Sequence, residues 1–334
     1  MNQVVLIPGD GIGPEITAAV LKILDAAGAQ VDWVKAEAGM TAFENSGNPL
    51  PEETLAKIRE HRIVLKGPLT TPVGSGFRSI NVSLRQEFNL FSNIRPARSL
   101  PGIDTPFKDV DLVLFRENTQ GLYSGIERWA NEDHTRAESI ALITREASEN
   151  IIGAAFDYAT KHKRKKVTLV HKANILKLST GLFLKVGNEI AQQYPDIEYE
   201  DLIVDNMAMQ MVMNPSRFDV VVTTNLFGDI LSDLASGLVG GLGLTGSANI
   251  GREHAMFEAV HGSAPDIAGQ GKANPTALLF SAILMLEHIG QNDVGARIND
   301  AIMKVLADKD ACTADLGGKS STGAYGDAVI AAMS

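Results

Sequence analysis

Apolar runs of strand length alternate with helix-patterned segments along the 334 residues. This alternation restricts the fold more than any other feature of the chain. VVLIP (4–8) reads as a buried strand, and PEITAAVLKILDAAG (14–28) as a helix with Pro14 in its first turn and Gly28 past its end. VDWVKAE (31–37) and RIVLKG (62–67) are further strands, separated by a helix over 51–61 that opens with Pro51. VDLVLFRE (110–117), KVTLVHK (166–172), IEYEDLIVD (197–205) and FDVVVTT (218–224) continue the series, with a helix over 147–162. Strands that alternate with helices imply α/β architecture with a largely parallel sheet.

At roughly 150 residues per domain the length suggests two domains. The Pro-rich stretch 95–111 and the glycine-dense stretch 237–251 are candidate crossings between them. Forty acidic against 30 basic side chains give a net charge of −10, which argues against nucleic acid as a partner. The apolar helix expected over 276–287 is too short to span a bilayer, so no membrane partner is expected. Cys312 is the one cysteine and has no internal disulfide partner. With no basic, apolar leader at the N-terminus, the expected location is cytoplasmic. The basic run 161–166 reads as solvation and dipole complementation at a helix end.

GDGIGPE (9–15) stands where a phosphate loop would stand, but Pro14 occupies the place of the third glycine in the dinucleotide fingerprint. A tight turn and a nucleotide-adjacent loop of another kind both remain open. Residues 66–98 hold Arg78, Arg85, Arg95 and Arg98 among hydroxyls and amides, with Arg85 on an expected helix and Arg95 read at a strand end, a grouping suited to a polyanionic ligand. Arg116 ends a strand, and Tyr123 follows seven residues on, where neighbouring cations would lower its pKa and suit it to general-acid work. Lys172 sits at the C-terminal edge of a strand. Asp205 is read at a strand end. Asp229 and Asp233 lie one helical turn apart, so their carboxylates share a face. Like charges at that spacing are mildly destabilising unless a cation sits between them or a cap uses one, and Asp229, near the helix start, is a candidate cap. Three carboxylates without a Cys or His cluster favour Mg²⁺ or Mn²⁺ over zinc. HGSAPDIAGQGKANP (261–275) is a loop whose amides could hold phosphates and whose Asp266 could accept from a ribose diol.

Taken together these segments, above all NLFGDILSDLASGLVGGLG (225–243), resemble the metal-dependent β-decarboxylating dehydrogenases. That family comprises isocitrate, homoisocitrate, isopropylmalate and tartrate dehydrogenases. The resemblance implies an isocitrate/isopropylmalate dehydrogenase-like two-domain α/β fold, distinct from the Rossmann dehydrogenases. Residues 1–97 plus 250–334 would form a discontinuous large, cofactor-binding domain. Residues 98–249 would form a small domain with the dimer interface, and the active-site cleft would lie between the two. By motif position, Arg85, Arg95 and Arg116 would clamp substrate carboxylates. Tyr123 and, from the partner subunit, Lys172 would be the acid–base pair. Asp229 and Asp233, with Asp205 from the partner, would hold the metal. Thr70 and Asn93 would lie near the nicotinamide, and His261, Gly262, Asp266, Ile267 and Asn274 would contact the adenosine half.

The resemblance also bears on substrate and cofactor. Ser79 and Asn81 look like the isocitrate dehydrogenase pair, where polar groups bind a third carboxylate. An isopropylmalate enzyme would place apolar residues there. Isocitrate is therefore the expected substrate, with homoisocitrate as the runner-up. Asp266 and Ile267 stand where NADP-dependent relatives tend to carry Lys and Tyr, so NAD is expected, with Mg²⁺ or Mn²⁺. The expected protein is a homodimer with shared active sites that turns a small tricarboxylate into 2-oxoglutarate and CO₂. A non-catalytic regulatory subunit is the alternative of another class. The presence of Tyr123, Lys172 and all three aspartates argues against it.

Overall fold

The computed structural model describes residues 2–70 and 79–333. Arg78, one of the expected anion-binding arginines, lies outside them. In chain order the elements are β1 (Asn2–Ile7), α1 (Gly13–Ala26), β2 (Val31–Lys35), α2 (Met40–Ser46), α3 (Glu52–His61), β3 (Ile63–Lys66), α4 (Ile80–Glu87), β4 (Ser92–Arg98) and β5 (Asp111–Glu117). They continue with β6 (Glu127–Trp129), β7 (Ala137–Ser139), α5 (Arg145–Lys161), β8 (Lys166–His171), α6 (Ser179–Ala191), β9 (Glu198–Ile203), α7 (Val204–Met213), β10 (Val220–Thr223) and α8 (Asn225–Leu238). The last are β11 (Gly246–Ile250), β12 (Ala255–Ala259), α9 (Thr276–His288), α10 (Asn292–Leu306) and α11 (Thr322–Ala332).

The chain divides into two compact units. The first comprises Met1–Leu84, Ser99–Lys108 and Val239–Ser334, and the second Arg85–Arg98 and Asp109–Leu238. The borders expected from the sequence are 97/98 and 249/250, whereas these units change over at 84/85, 98/99, 108/109 and 238/239.

In the first unit the strands run in the order β2-β1-β3-β12-β11. All neighbours there are parallel except β11, which runs antiparallel to β12. α9 is apolar on every side and is buried along most of its length, with Leu278, Leu279, Met285 and Leu286 fully enclosed. That burial, at about 1.5–3 kcal/mol per large side chain, is why this helix sits in a core and not on a surface. Among the described residues no helix is long and apolar enough to cross a membrane.

The second unit carries the strands β4-β5-β10-β8-β9. β4 is antiparallel to β5, and the rest are parallel. Its core joins Val113 and Phe115 on β5, Val167 and Leu169 on β8 and Val220 and Val222 on β10 to Ile151, Ile152 and Phe156 on α5. α5 begins at Thr144, whose hydroxyl caps the Ala147 N–H, one of the orphan donors of a helix start. The basic run after α5 is structural. Arg164 pairs with Asp111 and Asp219, and Asp219 also accepts from the Lys165 and Lys166 amides.

Two local readings change. Asp205 lies in the first turn of α7, not at a strand end, because the helix follows β9 without a loop. Arg95 lies in the middle of β4, a strand that the Arg and Pro in SNIRPAR disguise.

Candidate functional site

The antiparallel pairing of β4 with β5 sets Asn93 opposite Arg116 and Arg95 opposite Leu114. Alternate residues of a strand share a face, so Asn93, Arg95 and Arg116 point to the same side of the sheet. α8 covers that side. Gly228 lets it come close: a Cβ there would lie 2.6 Å from Arg116 Cγ and 2.7 Å from its Cβ. This approach brings Asp229, the next residue, onto the Arg116 side chain.

Arg116 is almost fully buried. Its Nε and Nη2 donate to Asn225 Oδ1 at 3.0 and 2.8 Å, and its Nη1 donates to Asp229 Oδ1. Burial, followed by repulsion from Arg85, pulls its pKa down to about 10 despite the attraction of Asp229. The Tyr123 hydroxyl donates to Asp229 Oδ2. The Arg116 guanidinium also lies over the Tyr123 ring, 5.0 Å from its centroid. Arg95 Nη1 donates to Ser232 Oγ and to Asp233 Oδ1, the latter at 3.2 Å, and its Nη2 lies 3.8 Å from Asp229 Oδ1.

These contacts correct two sequence expectations, the Asp229 cap and the direction of the Tyr123 shift. Asp229 is not a helix cap, since α8 starts four residues earlier. The Arg95 guanidinium lies near both Asp229 and Asp233 and offsets part of their repulsion. Tyr123, expected to have a lowered pKa, has a raised one. Burial and the hydrogen bond to Asp229 favour the neutral phenol and outweigh the pull of Arg116. For Asp229, burial opposes ionisation, but Arg116, the Tyr123 hydroxyl, Arg95 and Arg85 prevail and lower its pKa.

The chain reaches Tyr123 through a turn that motif reading missed. Glu117, buried at the end of β5, accepts from the Thr119 N–H and hydroxyl at 2.8 and 2.6 Å and from the Gln120 N–H at 2.9 Å. Asn225, Ser232 and Glu117 all lie within segments that the motifs covered. Their roles as supports depend on strand pairing, which the one-dimensional pattern did not show.

Lys172 follows β8 and pairs with Asp205. The ion pair lowers the Asp205 pKa. Among the described residues no group of three His, Cys, Asp or Glu side chains of one chain could hold a metal. The expected donors therefore divide into Asp229 with Asp233 on α8, and Asp205 on α7. Carboxylate oxygens alone make up the set, which suits a hard divalent cation.

In the first unit, Asp10 of GDGIGPE is buried and accepts from the Met40, Thr41 and Thr70 amides at 2.9, 3.0 and 2.8 Å. Thr70 Oγ1 lies 2.7 Å from Ser263 Oγ. Gly11, at φ +58°, leaves no room for a side chain, since a Cβ would lie 2.0 Å from the Ser263 carbonyl oxygen. Glu15 accepts from the Gly271 and Ala273 amides, both at 3.1 Å. The motif is a tight turn that braces the 261–275 loop.

On that loop His261 is held neutral by burial, and its Nδ1 lies 3.0 Å from the Gly262 carbonyl. Its buried Nε2 has no hydrogen-bond partner among the described residues. An acceptor left bare in this way fits a ligand donor such as the amine of an adenine. Asp266 is exposed beside Ile267 in a short 3₁₀ turn, and Gly262 is exposed. Asn274 is engaged internally, accepting from the Thr276 N–H and hydroxyl and donating to Asp315. Ser79 precedes α4. Asn81 is in the first turn of that helix, one turn before Arg85, and its buried Oδ1 also lacks a partner among the described residues.

The chain matches the isocitrate/isopropylmalate dehydrogenase family over residues 3–329. It is 47% identical over 332 residues to a Drosophila melanogaster protein named as the probable alpha-subunit of mitochondrial isocitrate dehydrogenase (NAD), covering 99% of this chain and 88% of that one. It is 48% identical over 331 residues to a Dictyostelium discoideum protein named as a mitochondrial regulatory subunit of isocitrate dehydrogenase (NAD), covering 99% and 91%. The crystal structure of isocitrate dehydrogenase from Methylococcus capsulatus superimposes with a TM-score of 0.97 at 58% identity, covering 100% of this chain and 99% of that one.

The expected cytoplasmic location is overturned by these names, since both the Drosophila and the Dictyostelium relatives are mitochondrial. The physical signal was weak: a lone buried cysteine excludes an internal disulfide and is compatible with any reducing compartment. With the match spanning nearly its whole length and the fold shared at high identity, the chain belongs to the isocitrate/isopropylmalate dehydrogenase family.

Proposed function

We propose that the chain is a catalytic, NAD-dependent isocitrate dehydrogenase that forms 2-oxoglutarate and CO₂. The observation that carries this reading is the cationic group of Arg85, Arg95 and Arg116 closing on the Tyr123–Asp229 pair in a chain of net charge −10. Three guanidiniums near one proton donor suit a substrate with several carboxylates. Ser79 and Asn81 would offer the hydroxyl and amide donors that a third substrate carboxylate needs. The family implies a dinucleotide and a divalent cation. The bare His261 acceptor and the all-carboxylate set of Asp205, Asp229 and Asp233 fit them.

The assembly is read as a homodimer with shared sites. Exposed apolar side chains crowd the Lys172 and Asp205 segments: Ile175 and Leu178 on one, Met209, Val212 and Met213 on the other. Such a patch is unusual on a free surface and suits a second copy of the chain. The discontinuous domain with residues 1–97 and 250–334 would carry the dinucleotide, and 98–249 the dimer contact.

When bound, the cation would acidify the substrate hydroxyl and the nicotinamide would accept the hydride. The protein's own work is then binding and proton handling. Arg85, Arg95 and Arg116 fix the carboxylates. Lys172 of the second copy, or a carboxylate near it, takes the hydroxyl proton. Once CO₂ has left, the Tyr123 hydroxyl, kept protonated by burial and by Asp229, delivers a proton to carbon. Asn93 and Thr70 border the nicotinamide end, and Asp266 with Ile267 favours a free 2′-hydroxyl.

Lys172→Met tests the catalytic reading. It should abolish isocitrate-dependent CO₂ release while the melting temperature stays within a few degrees of wild type. Undiminished turnover would remove Lys172 from the chemistry.

A further inference from the structure

β8 ends at His171, immediately before Lys172. The imidazole is 5% exposed, and both of its nitrogens are engaged. The Ala173 N–H donates to Nδ1 at 2.9 Å. Only a nitrogen with a free lone pair can accept, so the ring proton sits on Nε2, which donates to Asp201 Oδ2 on β9 at 3.0 Å. Asp201 thus selects the tautomer that leaves Nδ1 open to Ala173.

The backbone at Lys172 is held on every side. Its N–H donates to Thr180 Oγ1 at 3.2 Å. Its carbonyl accepts from the Ile175 and Leu176 amides at 3.0 and 2.8 Å. His171 holds the next amide. Only the lysine side chain, which reaches Asp205, is left to move. A four-carbon stem loses its aim if its base shifts, and a displacement of about 1 Å can cost ~10²-fold in rate.

We propose that His171, fixed as the Nε2–H tautomer by Asp201, is a positioning residue for Lys172. It sets the turn from which the amine reaches the substrate, and it touches neither substrate nor cofactor. The proposal rests on the reading of Lys172 as the group that takes the hydroxyl proton.

The test compares His171→Asn and His171→Gln in the full chain, with Lys172→Met alongside. Asparagine keeps an acceptor oxygen near the place of Nδ1. Glutamine puts its amide near Nε2 and leaves the Ala173 N–H without an acceptor. His171→Gln should lose about tenfold or more in kcat with KM for isocitrate and for NAD unchanged. Its Ala173 amide should exchange faster with deuterium, while the other β8 amides stay protected. His171→Asn should retain most of the rate and the protection. A wild-type rate in His171→Gln, or equal losses in both variants, would overturn the proposal. Full turnover in Lys172→Met would instead remove the reading beneath it, so the two failures are distinguishable.

Discussion

Asp229 is the residue on which the candidate site turns. Its carboxylate takes Arg116 on one oxygen and Tyr123 on the other, with Arg95 close by. Motif reading found all four residues, because their types and spacing carry the family pattern. It misjudged the direction of the Tyr123 shift, since it weighed the nearby cations and had no view of the carboxylate or of burial. The sign can be tested without substrate. Burial and Asp229 raise the Tyr123 pKa above its ordinary 10.0, so the neutral phenol is the form that folding favours. The stability it contributes is complete below pH 10 and is lost as pH rises through the raised value. Tyrosinate absorbance in metal-free protein, wild type minus Tyr123→Phe, should therefore show one phenol titrating later than a free tyrosine. An earlier titration would contradict the geometry.

At the scale of elements, the site is a matter of how close α8 lies to β5. Gly228 permits that approach. Gly228→Val should force the helix away, destabilise the protein by about 1–3 kcal/mol as overpacking does, and weaken the Arg116–Asp229 pair. Urea unfolding measures the first effect, and a midpoint equal to wild type would refute it. The alternating pattern made β1, β3, β5, β8 and β10 legible because their apolar runs are continuous. β4 and β11 were not, since SNIRPAR and GSANI carry too few apolar residues to signal a strand, and pairing rather than composition holds them. Asp205 was misplaced for a related reason: nothing in LIVDNMAM marks where β9 stops and α7 starts.

For the whole molecule, length suggested two domains and the chain divides into two compact units, yet no count could show that it crosses between them four times. Net charge argued against nucleic acid and misrepresented the site, where buried arginines gather locally against an acidic background. The compartment was not legible at all. The central claim is the reaction itself, and steady-state turnover tests it most directly. Purified protein should be assayed with isocitrate, homoisocitrate, 3-isopropylmalate and tartrate, each with NAD and with NADP, in the presence of Mg²⁺ or Mn²⁺. The account predicts that kcat/KM is highest for isocitrate with NAD and that 2-oxoglutarate and CO₂ appear in equal amounts. A preference for another substrate, or no turnover of any by the protein alone, would contradict it.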